Sequence, residues 1–408
     1  MKEQELIPHL FRTEYSKIVA VICNRFGFDQ IALAEDIASD TFLTAVQTWP
    51  YKGLPQNPAA WLYQVAKNKA KNHLQRNSIF NSRVTPQLNN DGAVLAVTDI
   101  DLSAQNIQDS QLQMMFAICH PSIPAEAQIG LALRILCGFG IEEIATAFLT
   151  NKETINKRLF RAREKLRLQN VQLAFPPAAE INKRLETVLT TLYLLFSEGY
   201  YSESHDSVLR EDLCLEAMRL TYLLLENKYS NQPKVNALLS LMCFHASRFK
   251  ARADSQGELI LYEDQDEKLW NAALITKAAM YLREASQGNH ISTYHLEASI
   301  AYWHTIKADT PEKWSAILQL YNQLLQLTYS PMAALNRTYA LSKVHGKPEA
   351  IMAAEKLGLT NNRFYYVLLG ELYSGIDKIK ATDNFKKALA ITKTIAEKQA
   401  IQKKIDKL

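Results

Sequence analysis

Apolar residues recur along this chain at helical spacing, with no strand-and-turn rhythm between them. The clearest stripe is Ile155, Leu159, Ala162 and Leu166, at i, i+4, i+7 and i+11, which is one face of an α-helix. Just before it, Ile144, Ala145 and Phe148 give a shorter helix an apolar side. Leu149, Thr150 and Asn151 make the turn between the two, with Thr150 or Asn151 able to cap the second helix. Residues 33–49, LAEDIASDTFLTAVQTW, predict another amphipathic helix, with Phe42, Val46 and Trp49 on its apolar side. Residues 58–77, PAAWLYQVAKNKAKNHLQRN, predict a third, with Pro58 suited to the first turn and Trp61, Leu62, Val65, Ala66 and Leu74 on the apolar side. The periodicity lapses over 78–110, returns from Leu112 to about Leu168, and breaks again at FPPAAE, 175–180. Amphipathic helices then continue to the C-terminus, interrupted by polar stretches near 202–210, 227–233, 252–267 and 286–293.

These breaks divide the 408 residues into expected segments of 1–80, a linker 81–110, 111–170, 180–290 and 291–408. With only 13 Gly and 13 Pro to specify turns, an all-α protein is expected rather than a barrel or sandwich. A content of 48% hydrophobic and 22% charged residues excludes a mostly disordered chain. The last third carries a repeat-like signal. Ala316, Ala350 and Ala381 are followed four residues later by Leu320, Ala354 and Phe385. Leu369, Gly370 and Tyr373 form L-G-x-x-Y, and Ala381, Phe385 and Ala388 form A-x-x-x-F-x-x-A, as in tetratricopeptide repeats. A generic helical array is the alternative. Cys23, Cys119, Cys137, Cys214 and Cys243 lie far apart in apolar segments and read as reduced core thiols. The charged N-terminus has no signal-peptide core, and no apolar run is long enough to span a bilayer, so a cytoplasmic protein without a membrane role is expected.

The net charge of +4 is too small to argue for nucleic acid, but its placement is not even. Residues 152–167 hold seven Lys or Arg against Glu153 and Glu164. Two short helices with a basic second member read as a helix-turn-helix. Thr154, Asn156 and Lys157, with Arg161 one turn on, are placed for base edges or phosphates, and Lys152, Arg158, Arg163 and Lys165 for backbone phosphates. Residues 59–77 carry Lys67, Lys69, Lys71 and Arg76 and no acid. Lys67, Lys71, Asn68 and Asn72 form a face suited to phosphates and unpaired bases. The 33–49 helix is instead acidic, through Glu35, Asp36 and Asp40, which suits a protein partner. A basic or acidic solvated face is the plain alternative for each.

In this order the segments resemble the extracytoplasmic-function group of bacterial RNA polymerase sigma factors. EDIASDTFLTAVQTW resembles the polymerase-clamp-binding helix of sigma domain two, and PAAWLYQVAKNKAKNHLQR the promoter-melting helix after it. IEEIATAFLTNKETINKRLFRAREKLR is similar to the helix-turn-helix of sigma domain four. RLETVLTTLYLLFSEGY and the segments after it resemble the helical extension of a subgroup with tetratricopeptide-like repeats. The resemblance implies that Asp36, Asp40 and Phe42 hold the clamp of core RNA polymerase. Loop 51–57, Trp61, Asn68, Lys67, Lys71 and Asn72 would serve the −10 element and melting, while Asn156, Lys157 and Arg161 would read the −35 element of promoter DNA. Ser39, where the group often has Gln, and Asn156, where Arg is common, depart from its pattern. The linker, with one Arg against four Asp, fits a basic RNA channel.

Such a protein acts by binding: no enzyme activity and no cofactor are expected. The acids of EDQDE, 263–267, read as a solvated loop rather than a metal site, and no nucleophile, base and orienting group accompany His205, Asp206 or Glu198–Tyr201 at catalytic spacing. The extension is expected to regulate or stabilise the sigma module, with a possible protein partner of its own. A helix-turn-helix regulator acting without polymerase, and a helical-repeat scaffold, are the competing readings.

Overall fold

The computed structural model describes residues 3–84, 100–148, 150–200, 210–252, 260, 262–392 and 395–408. Among these there are nineteen α-helices and no strand, so the all-helical expectation holds. The chain divides into two compact units, Met1–Leu195 and Phe196–Leu408.

The first unit is built on α1 (Glu3–Phe26), α2 (Ile31–Lys52), α3 (Pro58–Val84), α4 (Ala104–Ile118), α5 (Ala125–Leu131), α6 (Ile141–Ala147), α7 (Lys152–Leu168) and the greater part of α8 (Ile181–Tyr200). Helix α1 is its axis. Tyr15, Ile18, Val19, Ile22 and Cys23 are all but fully buried, and α1 packs on α2 and α3 and also on α4. Across the α1–α4 contact, Asn24 Nδ2 donates to Ser110 Oγ at 3.1 Å and Gln111 Nε2 to Ser16 Oγ at 3.3 Å. Helix α3 runs on to Val84 and α4 begins at Ala104, so both enter the stretch read as a linker from its lost periodicity. Ser103 caps α4 by accepting from the Asn106 amide, and Ile107, Leu112, Met114 and Met115 are drawn into the core. Residues 85–99 of that stretch lie outside the described residues. After α5 the chain makes one π-helical turn, Ala132–Leu136, before α6.

The proline-marked break at 175–180 does not end the first unit. Leu185, Val188, Leu189, Leu192 and Leu195 of α8 are buried in it. Thr191 donates to the buried side chain of Gln128 at 2.8 Å, and Gln128 in turn donates to the carbonyls of His120 and Ile123. Arg184 donates to the carbonyl of Phe116.

The second unit continues with α9 (Glu211–Leu225), α10 (Pro233–Ala246), α11 (Phe249–Arg252), α12 (Ala272–Ala285), α13 (Thr293–Trp303), α14 (Pro311–Leu327), α15 (Pro331–His345), α16 (Lys347–Leu357), α17 (Arg363–Tyr373), α18 (Lys378–Ile391) and α19 (Ile395–Asp406). From α13 to α19 each helix packs on the next in the chain. Two glycines permit close approaches between consecutive helices. A Cβ on Gly199 would lie 2.8 Å from the Arg210 carbonyl and the Cys214 sulfur, so Gly199 serves packing of α8 on α9; Tyr201 lies outside the described residues. A Cβ on Gly370 would lie 2.6–2.8 Å from the Phe385 ring, and this contact joins the L-G-x-x-Y and A-x-x-x-F segments. Gly370→Ala is expected to lower stability by about 1–3 kcal/mol through overpacking; thermal unfolding of the variant checks it, and an unchanged midpoint would contradict the packing account. The earliest copy is different: Ala316 and Leu320 line an open pocket of about 340 Å³ with Leu282, Tyr302 and Trp303, and Ile317 and Leu318 take the buried positions.

Two histidines are half-buried in this unit. Burial first, and then Arg248 and Lys313, push His304 down to about 3; burial, Arg248 and Arg252 hold His245 well below the ordinary histidine range. A histidine that is neutral when folded contributes full stability above its unfolded pKa of about 6.5 and loses it as the pH falls toward the folded value. For His304 the loss is about 1.4 kcal/mol per pH unit. Denaturant unfolding at pH 7 and pH 4.5 should therefore differ by about 2–3 kcal/mol more in the native chain than in His304→Gln. Equal differences in both would remove the assignment.

Candidate functional site

The sequence-predicted residues fall on three helices of the first unit. On α2, the residues facing solvent include Asp36, Ser39, Asp40, Leu43, Val46 and Gln47, whose spacing of three and four residues makes a single stripe. Its apolar members are well exposed, Leu43 by 53% and Val46 by 49%. This corrects two readings. Phe42, expected to meet a partner, is only 4% exposed and packs edge-on against Phe11 at 5.0 Å. Val46, expected on the core side, is at the surface instead. The signal for Leu43 and Val46 was present: they lie seven and ten residues after Asp36, on its side of the helix. Asp40 stands 3.8 Å from Lys69 of α3, so the acidic and basic helices touch.

Helix α3 is started by Asn57, whose side chain accepts from the Ala60 amide at 3.0 Å, a cap the sequence reading passed over. Trp61 is half-buried, edge-on to the buried Trp49 at 5.4 Å, so only part of the indole is at the surface. Asn68 and Asn72 are exposed, with Asn68 accepting from Gln64 at 3.0 Å. Lys67 and Lys71 are half-buried beside them. Residues 51–54 and 56–57 of the preceding loop are exposed, Tyr51 by 89%, and Gly53 turns the chain with φ of 79°. Inside, Tyr63 donates to Glu14; burial and this carboxylate together raise the phenol above its ordinary range.

Helix α7 is capped by Asn151, which accepts from the Thr154 amide at 2.8 Å. Ile155, Leu159, Ala162 and Leu166 are buried, as their spacing requires. Thr154, Asn156, Lys157, Arg161 and Lys165 are exposed, with Lys157, Arg161 and Lys165 one turn apart. Phe160, 66% exposed, stands among them. Lys152 is paired with Glu142 of α6, and the Arg158 guanidinium lies 5.6 Å from the centre of the Phe148 ring. Arg163 is not where the sequence suggested. Its guanidinium turns to Glu35 of α2, at 3.0 Å, and Arg134 meets the other oxygen of the same carboxylate at 2.9 Å. Glu35 was read as part of the acidic face, yet it is buried. Its place in the stripe Ile31, Glu35, Ala38, Phe42 and Ala45, all buried, is the signal that marks it as an inward acid.

No grouping of three or more His, Cys, Asp or Glu capable of holding a metal occurs among the described residues. All five cysteines are buried, and burial pushes the thiols of Cys23, Cys119, Cys214 and Cys243 up to about 12. His205 and Asp206 lie outside the described residues. No helix among those described is long and apolar enough to cross a membrane.

Over 93% of its length the chain is 33% identical to uncharacterized protein R00370 of Rhizobium meliloti, covering 91% of that protein. The chain belongs to that protein's family. Residues 10–79, which span most of α1 and all of α2 with the exposed face of α3, match Sigma-70 region 2, and this supports a sigma-70-family factor. The RNA polymerase sigma-H factor of Pseudomonas aeruginosa is 28% identical over 32% of this chain and 69% of its own length. Residues 184–286 match a family of unknown function, DUF6596. No solved structure matches the chain.

Proposed function

We propose that this chain is an alternative sigma factor of the extracytoplasmic-function group, which binds core RNA polymerase in the cytoplasm and directs it to promoters. The observation that carries the reading is the acidic and apolar stripe of α2 set beside the acid-free exposed side of α3, within the residues that match Sigma-70 region 2. A DNA-binding regulator acting alone has no use for an exposed Leu43 and Val46 flanked by Asp36 and Asp40. A coiled-coil partner with apolar and basic positions does.

The work is done by binding, without bond chemistry. Helices α6 and α7 act as a helix-turn-helix, with Asn156, Lys157 and Arg161 toward the base edges of the −35 element and the remaining cations on phosphates. Phe160 adds an apolar contact suited to a thymine methyl group. Asn68, Asn72 and the exposed 51–57 loop receive unpaired bases of the −10 element, while Lys67 and Lys71 follow the strand. Extruding a base costs a few kcal/mol, which stacking and strand charge must offset. The helical pairs of the second unit form a tetratricopeptide-like protein-binding array that regulates or stabilises the sigma module.

Transcription from genomic fragments by core polymerase, with and without the protein, tests the proposal. New transcript starts should share one upstream pair of elements and should disappear in Asn68→Ala and Arg161→Ala. Absence of new starts together with absence of core binding would sink it.

A further inference from the structure

The clasp between Glu35, Arg134 and Arg163 has a consequence for promoter binding, on the reading that α7 is a DNA-binding helix. A compact body of the first unit's length is only about 40 Å across, and α3 and α7 both belong to it. The −10 and −35 elements are separated by about 25 base pairs, or about 85 Å at 3.4 Å per base pair. The arrangement with α2 and α7 joined is therefore a closed state that cannot serve both elements at once.

The three members of the clasp are not held alike. Arg134 is tied on two sides, its Nε to Glu35 and its Nη1 to the Phe139 carbonyl at 3.2 Å. Arg163 meets Glu35 through Nη1 at 3.0 Å, and its buried Nε has no hydrogen-bond partner among the described residues. Its side chain is nonetheless on the basic helix, three and seven residues after the exposed Phe160 and Asn156 and so on their side of it. Arg163 is thus the member whose bond to Glu35 can be exchanged. A phosphate offers the same bidentate acceptor geometry as a carboxylate, and it would also engage the idle Nε.

We propose that Arg163 is an exchange residue. In the closed state Glu35 holds its guanidinium, and on DNA a backbone phosphate takes Glu35's place. Closure and DNA binding by α7 then weaken each other, because a single guanidinium serves both, and the coupling is reciprocal. Glu35 acts as an internal substitute for one phosphate.

The test uses the full chain and a 30-base-pair duplex of mixed sequence, with binding followed by fluorescence anisotropy across a salt series. Each neutralised phosphate adds about −0.9 to the slope of log K against log salt, which at 0.1 M salt corresponds to about eightfold in affinity. Because Arg163 of the native chain also reaches the phosphate once DNA is bound, Glu35→Gln is expected to keep the native slope and to bind several-fold more tightly, whereas Arg163→Gln alone is expected to lose about that one contact. Glu35→Gln with Arg163→Gln should have a slope shallower than native by about 0.9 and should bind about eightfold less tightly than Glu35→Gln alone. The exchanged pair Glu35→Arg with Arg163→Glu keeps one acid against two guanidiniums, so it should fold like the native chain, and it should not gain the contact. Circular dichroism of each variant establishes folding, and the exchanged pair is the deciding variant if Glu35→Gln does not fold. Native affinity in Glu35→Gln would overturn the proposal, as would a native slope in Arg163→Gln, or a gain that survives Arg163→Gln or appears in the exchanged pair. If neither native nor variant chain binds the duplex, the reading of α7 as a DNA helix fails, and the exchange fails with it; core polymerase binding is a separate measurement that this result leaves standing.

Discussion

Replacing Leu43 and Val46 together by lysine is expected to weaken binding of core RNA polymerase by about 100-fold or more, while leaving the thermal stability of the chain within about 1 kcal/mol of native. Both side chains are about half exposed, so the folded chain loses little when they become polar. In an interface the balance reverses. Two apolar anchors at the centre of a protein–protein contact are the kind of residue that carries binding energy, and inserting ammonium groups there adds a desolvation cost. Phe42→Ala is the counterpart on the inner face of α2. It is expected to reduce stability by about 3–5 kcal/mol through the cavity left against Phe11. Any effect on polymerase would then follow the loss of fold. Pull-down or fluorescence titration with core polymerase, alongside thermal melts, separates the two. If Leu43 and Val46 can both be lysine with full polymerase affinity, the stripe is not the interface.

Truncation should show an equally large effect, and the position of the cut decides it. A chain ending at Asn170 would lack α8, and with it Leu185, Val188, Leu189, Leu192 and Leu195, all buried in the first unit. At about 1.5–3 kcal/mol for each buried aliphatic side chain, the loss is about 7–15 kcal/mol, as large as the whole stability of a typical domain. The partners left behind include the buried Gln128, deprived of Thr191. Such a chain is expected to be unfolded or aggregated around α4–α7. Deleting 201–408 instead, which keeps α8 through Tyr200, is expected to retain a cooperative melt and the helical spectrum of the first unit. The comparison matters for any test of the second unit's regulatory role. Loss of promoter output in a chain cut at 170 or 180 would report a broken first unit, whereas a change in the chain cut at 200 would report regulation. Equal folding of both truncated chains would contradict the part assigned to α8.

Much of this molecule is legible from local pattern. The stripe Ile155, Leu159, Ala162 and Leu166, the alternatives for its cap, and the basic character of its remaining positions belong to neighbouring residues on one helix, so their spacing is sufficient. The same is true of the all-helical class, and of the small residues at Ala350, Ala354, Ala381 and Gly370, which closely paired helices need. The α2 helix was also readable as acidic on one side and apolar on the other. The burial of its individual residues was less readable, because a helix packed between α1 and α3 has a wide apolar arc whose edge sequence does not mark. Phe42 fell inside that edge and Val46 outside it.

What only the tertiary structure decided depends on residues far apart in the chain. Whether an acid such as Glu35 is a surface charge or a buried one turns on whether a cation reaches it, and here the cations are Arg134 and Arg163 from other helices. The basic count of α7 gave no means of telling the arginine turned inward from those left in solvent. Likewise, the prolines at 176 and 177 interrupt the helix, but they do not determine whether the next one returns to the same core. Local periodicity fixes which face of each helix is apolar. The pairing of those faces, and of the few charges carried in with them, is set by the packing of the whole unit, since a buried charge is tolerated only where a partner is brought to it.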